Sequence, residues 1–228
     1  RRCEARDISE YFPDIDSALV AIQRTGIHRI ALMGHSTGGL ITACFMARND
    51  RPDIKALLLN SPFLDWNLGW KEHIVPLVAF WGKFFPNTRI SQGDSTGYGE
   101  SLLRGAHGEW TFNTDWKTLH SPDVTAGWIR AIDRAQRSLR DGKTRISVPI
   151  LLMYSARAVG GSEHWTPVYD TGDAVLDPAD IRRYGCMLGP NVTCLKVNGG
   201  LHDLILSRPA VRNPLYRYIF HWLTLHNF

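Results

Sequence analysis

Two kinds of apolar pattern alternate along this chain. Four short runs are apolar almost without interruption: Ile30-Ala31-Leu32-Met33, Ile54 to Leu59, Val148 to Tyr154 and Val192 to Val197. Runs of that length and composition predict strands buried on both faces. Around them, apolar residues recur at helical spacing. Glu10 to Arg24 carries Ile15, Leu19 and Ile22 on one face, with Ala18 between them, and Gly26 stops the helix. Leu40 to Arg48, Asp180 to Leu188 and Tyr216 to Leu225 also read as helices. Strands alternating with helices predict an α/β fold, a mostly parallel sheet flanked by helices.

The alternation fails from about Phe63 to Arg145. That segment holds six of the eight tryptophans (Trp66, Trp70, Trp81, Trp110, Trp116 and Trp128) and a Gly/Ser/polar stretch from Ser91 to Gly108. It predicts a cap inserted into the α/β core, with residues 1–62 and 146–228 as the two halves of that core. Aromatic residues roofing a site would make a water-poor, apolar pocket. The alternative is that they build the cap's own interior, since large aromatics bury much area wherever they sit.

Composition narrows the class. At 228 residues and 44% hydrophobic, the chain suits one α/β domain with an insertion. The net charge is +4 with basic residues scattered, which argues against a nucleic-acid partner. No run is long enough to span a membrane, since Leu77 to Phe85 is short and broken by Gly82. The four cysteines, Cys3, Cys44, Cys186 and Cys194, show neither a CxxC nor a metal-binding spacing. Cys186 and Cys194 could close a disulfide, but reduced thiols are the favoured reading. No metal or cofactor is expected. The chain opens Arg1-Arg2-Cys3 with no signal pattern and one helix before its first strand. A full sheet of this kind needs several strands earlier, so the N-terminal strands are read as absent from this chain. The localisation read from it is cytoplasmic.

The chemistry centres on Gly34-His35-Ser36-Thr37-Gly38-Gly39, directly after the first strand and before the Leu40 helix. Strand, Gly-x-Ser-x-Gly and helix make a nucleophile elbow, which lifts a serine hydroxyl above the C-terminal edge of a sheet. Gly34 and Gly38 are expected because the turn leaves no room for Cβ atoms beside Ser36, and the His35 ring is expected to turn away. Serine needs a base, and the base an orienting acid, in the chain order Ser, Asp/Glu, His. His202, in Asn198-Gly199-Gly200-Leu201-His202-Asp203, follows the last strand on what reads as a flexible loop. His164 is its rival. For the acid, Asp173 follows a glycine and precedes an apolar stretch. Asp177 precedes Pro178 and is explained by helix capping, Asp65 follows an earlier strand, and Asp203 is poorly placed to orient its neighbour His202. The backbone N–H of Thr37 is the expected oxyanion donor.

Gly-His-Ser-x-Gly-Gly, Asp-x-Val-x-Asp-Pro and Gly-Gly-x-His-Asp together resemble the α/β-hydrolase superfamily. The resemblance is to its serine aminopeptidase S33 / monoacylglycerol-lipase-like group, and it runs from Ser9 to Phe228. It implies Ser36 as nucleophile, Asp173 as acid and His202 as base. The stretch from Tyr154 to Asp173 is longer than in the lipase-like members. The second oxyanion donor of that fold would lie upstream of Arg1. The expectation is a cofactor-free serine hydrolase acting on a small-molecule carboxylic ester with an apolar acyl or alkyl part. One rival is an aminopeptidase that holds the substrate ammonium on Glu100, Glu109 or Glu163. Another is a non-catalytic binding protein on the same fold.

Overall fold

The computed structural model describes residues 3–93, 95–160, 162 and 164–228. In chain order its elements are α1 (Phe12–Gln23), β1 (Ile30–His35), α2 (Thr37–Arg48), β2 (Ile54–Asn60), α3 (Val75–Phe84), β3 (Arg89–Ile90), α4 (Gly97–Leu102), β4 (Val124–Thr125), α5 (Ala126–Arg140), β5 (Ile150–Ser155), α6 (Pro178–Gly185), β6 (Val192–Val197) and α7 (Pro209–Leu225). Short 3-10 turns fill several of the connections.

β1, β2, β5 and β6 pair in that order, every pair parallel. The side-chain period of two splits their residues between two apolar layers. Leu57 and Leu59 of β2 and Ile150 and Leu152 of β5 face α2, α5 and α6, where Phe45, Ile132, Leu139 and Ile181 are buried. Ala56, Leu58, Leu151 and Met153 face α7 through Leu215, Ile219 and Trp222. The central strands β2 and β5 are covered on both faces, which is why they read as nearly continuous apolar runs rather than alternating ones.

Two elements differ from the sequence reading. α7 begins at Pro209, seven residues before Tyr216, and continues through Pro214. Its first turn starts on Pro209, a residue whose fixed φ suits that position. Within the segment 63–145, α5 carries the clearest amphipathic pattern and buries Trp128, Ile129, Ile132, Ala135 and Leu139 in the same layer as α2 and the sheet. α3 packs on α5 yet leaves Leu77, Phe80, Trp81 and Phe84 exposed. Among the described residues, no helix is long and apolar enough to cross a membrane.

Candidate active site

β1 and β2 run side by side, and their ends set the elbow. Ser36 caps α2 with φ 52° and ψ −121°, a conformation that L-residues other than glycine adopt only at a cost. The surroundings hold it there. The Ser36 N–H donates to the Asn60 carbonyl at 3.1 Å, and the Ser36 carbonyl accepts from the N–H groups of Gly39, Leu40 and Phe63. The expected lack of room holds at Gly34, where a Cβ would meet the Gly38 carbonyl oxygen at 2.5 Å. It does not hold at Gly38, whose Cβ position has no neighbour within 4 Å. Thr37 is the first residue of α2, so its N–H has no carbonyl within the helix to reach.

His202 reaches the serine from the loop after β6. Instead of a flexible stretch, that loop is a tight turn. Gly199 sits at φ 68°, the Ser155 hydroxyl donates to the Gly200 carbonyl at 2.8 Å, and the Leu201 N–H donates to the Ser207 hydroxyl at 3.0 Å. The acid arrives along a different path. After β5 the chain makes its long excursion and returns so that Asp173 pairs with the segment leaving the strand. The Asp173 N–H donates to the Arg157 carbonyl at 2.9 Å, and the Val159 N–H donates to the Asp173 carbonyl at 2.8 Å. The length of the excursion is thereby cancelled.

The three side chains form one hydrogen-bonded line. Asp173 Oδ2 lies 2.9 Å from His202 Nδ1, and His202 Nε2 lies 3.0 Å from Ser36 Oγ. Asp173 is 0% and His202 3% exposed, so the line is shielded from water up to the serine. Asp173 Oδ1 accepts from the N–H groups of Val175 and Leu176 at 2.8 and 2.9 Å. A carboxylate only accepts, so Nδ1 carries the imidazole proton and Nε2 is left to accept from the Ser36 hydroxyl.

The rivals lie elsewhere. Asp177 caps α6 by accepting from the Ala179 N–H, and Asp65 is paired with Arg140. His164 is exposed. Glu100 accepts from the Thr96 hydroxyl, Glu109 pairs with Arg208 and Arg212, and Glu163 lies outside the described residues.

A second polar shell backs His202, and most of it is invisible to pattern reading. The His35 ring packs against the His202 ring with centroids 4.8 Å apart instead of turning away. His35 Nδ1 donates to the Asn60 carbonyl at 3.0 Å, and its Nε2 faces Asp203 at 3.8 Å. Burial lowers the His35 pKa to about 4, against the raising pull of Asp203 and with a further lowering push from His202. Asn60, fully buried, donates to Asp203 at 2.7 Å and accepts from the Leu204 N–H at 3.2 Å. The Tyr98 hydroxyl accepts from the Asp203 N–H at 3.2 Å, and the Tyr98 ring meets His202 edge-on at 5.6 Å. Burial, followed by the charges of Asp203 and Asp173, holds the Tyr98 phenol well above its usual pKa. Asn60 had one legible signal, a polar residue directly after the apolar run Ala56-Leu57-Leu58-Leu59.

Ser36 and Thr37 open onto a cavity of about 290 Å³ whose wall is mainly apolar, from Phe63, Trp66, Leu68, Trp128, Val175 and Leu176, with Asn67, Gln92 and Ser121 as polar members. Two of the six tryptophans thus line it, while Trp70, Trp81 and Trp116 are exposed. Among the described residues, no three His, Cys, Asp or Glu side chains converge to hold a metal ion.

The architecture is the α/β-hydrolase fold. The monoacylglycerol lipase of Paleococcus ferrophilus superposes with a TM-score of 0.70 at 22% identity, covering 100% of this chain and 78% of that one. A soluble variant of monoglyceride lipase from Saccharomyces cerevisiae gives 0.67 at 14% identity, over 97% of this chain and 69% of that one. Est1E from Butyrivibrio proteoclasticus gives 0.58 at 13% identity, over 96% and 71%. No curated protein matches the sequence. A family model described as serine aminopeptidase, S33, matches residues 1–158, well over half of the chain, and the chain therefore belongs to that family of α/β-hydrolases.

Proposed function

We propose that this protein is a serine hydrolase that cleaves small carboxylic esters with an apolar acyl or alkyl group, through an acyl-enzyme. The observation that carries the reading is the unbroken line from Asp173 through His202 to Ser36, ending at the mouth of an apolar cavity. His202 Nε2 takes the Ser36 proton as Oγ attacks the ester carbonyl, and Asp173 steadies the imidazolium that forms. The Thr37 N–H faces the developing oxyanion. Collapse of the tetrahedral species expels the alcohol, which receives its proton from His202. Water activated by the same ring then releases the acid. Residues 63–145 serve as the cap, with α5 seating them on the core and Phe63, Trp66, Leu68 and Trp128 lending the cavity its apolar wall. The lipase and esterase descriptions of the structural neighbours agree with this choice of substrate class.

The S33 family description keeps a second reading in play, release of N-terminal residues from peptides. That reaction needs an anionic partner for the substrate ammonium. None of the described residues lining the cavity is acidic, and both described candidates, Glu100 and Glu109, are engaged with other side chains. The deciding experiment is labelling with a fluorophosphonate probe, followed by a panel of p-nitrophenyl esters and amino-acid amides. Ser36→Ala is expected to abolish labelling, and medium-chain esters to outpace both acetate and amides. A folded protein that takes no label refutes the catalytic roles; equal turnover of amides and esters favours the peptidase.

A further inference from the structure

Cys186 closes α6 and Cys194 lies within β6, and both side chains are exposed. Their sulfurs stand 3.0 Å apart, about 1 Å beyond a covalent S–S bond of roughly 2.05 Å. Two independent elements hold them there. The Cys186 N–H donates to the Arg182 carbonyl at the end of α6, and Cys194 is paired in register with Leu152 on the β5–β6 ladder. α6 is itself seated on that ladder, with Gly185 against the Leu152 side chain. The approach of the thiols is therefore built into helix-on-sheet packing.

We propose that Cys186 and Cys194 are a modification site, a dithiol that a hydroperoxide converts to a reversible disulfide clamping α6 to β6. The Cys186 sulfur attacks the hydroperoxide oxygen, giving a sulfenic acid and releasing an alcohol, or water when the oxidant is hydrogen peroxide. The Cys194 sulfur then attacks the sulfenic sulfur, the S–S bond forms, and hydroxide leaves with the Cys194 proton as water. Two thiols lose two electrons and two protons, and the peroxide is reduced. Partial desolvation within β6, then the hydrogen bond to Cys186, push the Cys194 thiol up to about 12, which favours Cys186 as the sulfur oxidised first. The clamp stands outside the line from Asp173 to Ser36, and it joins the helix that follows the Asp173 loop to the strand that leads to His202.

The test treats the purified full chain with hydrogen peroxide, alkylates it and maps it with trypsin. Both cysteines fall in one peptide, Tyr184 to Lys196, with no Lys or Arg between them. The expected product is that peptide short of two hydrogens and blocked to alkylation, restored by dithiothreitol. Cys194→Ser is expected to trap Cys186 as a sulfenic acid that dimedone captures, while Cys186→Ser leaves Cys194 alkylatable. Oxidised protein is expected to melt roughly 5 °C above the reduced form. Both thiols remaining free to alkylation, pairing with Cys3, Cys44 or a second molecule, or an unchanged melting temperature on oxidation would each overturn the proposal. None of these readouts depends on hydrolase activity.

Discussion

Gly34→Ala and Gly38→Ala separate two glycines that the elbow pattern treats as equals. At position 34 a new Cβ lands 2.5 Å from the Gly38 carbonyl oxygen, 2.8 Å from the Gly38 carbonyl carbon, and against Thr42 Oγ1. Thr42 can swing its hydroxyl aside, but the Gly38 carbonyl belongs to the first turn of α2 and moves only if that turn moves. Relief to van der Waals separation needs a shift of about 1 Å. Overpacking of this kind costs about 1–3 kcal/mol, which at about 2–4 °C per kcal/mol for a domain of this size lowers the melting temperature by roughly 2–12 °C. The displaced turn carries Ser36 with it, and a misplacement of about 1 Å lowers reactivity by about 10²-fold. At position 38 the same methyl group meets nothing within 4 Å and sits in a helix, where alanine is favoured over glycine by up to about 1 kcal/mol. Thermal unfolding and the rate constant for fluorophosphonate labelling check both variants. Gly34→Ala is expected to fail on both measures and Gly38→Ala on neither. If the two variants behave alike, the steric account of the elbow is wrong.

Three further outcomes follow from the same site. Asp173→Asn must turn its carbonyl oxygen toward the Val175 and Leu176 N–H groups and so present its NH₂ to His202 Nδ1. The imidazole then adopts the tautomer that cannot accept from Ser36, and kcat for ester hydrolysis should fall by about 10³–10⁴-fold with the fold intact by circular dichroism. Asn60→Ala strips a buried hydrogen bond from the Asp203 carboxylate and orphans the Leu204 N–H, so chemical denaturation should show a loss of about 2–3 kcal/mol. His35 titrates at about 4 when folded against about 6.5 when unfolded, so the unfolded chain binds the extra proton first. Stability is therefore unaffected by this group above pH ~6.5 and falls as the pH drops toward ~4. Discounted for the ring's 30% exposure, the loss is about 1–2 kcal/mol. His35→Asn, which keeps a donor for the Asn60 carbonyl without titrating, should flatten that slope in melts run from pH 4 to 7.

Local grammar carried most of what the sequence revealed. The four strand runs, the elbow between β1 and α2, and Asp177 as a helix cap are each specified by residues within a few positions of one another. The chain order Ser36, Asp173, His202 could be proposed because the strands that precede these residues were legible. What escaped depends on distant pairing. Asn60 meets Asp203 across 143 residues, and Tyr98 meets the same loop from a segment with no regular pattern. His35 was expected to turn away because alternation along β1 says nothing of the carbonyl and carboxylate waiting for it. α5 escaped as an element because attention to the tryptophans around it passed over its own amphipathic spacing, which buries Trp128, Ile129, Ile132, Ala135 and Leu139.

The hydrogen bond between Ser36 and His202 joins residues 166 positions apart, and this distance gates the chemistry in time. As the chain emerges from the ribosome, Ser36 precedes His202 by 166 residues and can find its place in the elbow as soon as β2 pairs with β1. No base exists for it until β6 has docked on β5 and the turn at Gly199 has closed. On the proposed roles, the growing chain carries an inert serine until β6 has docked and gains a reactive one only then. The reverse path has the same logic, since any partial unfolding that frees β6 removes the base and silences the serine before the elbow itself is lost.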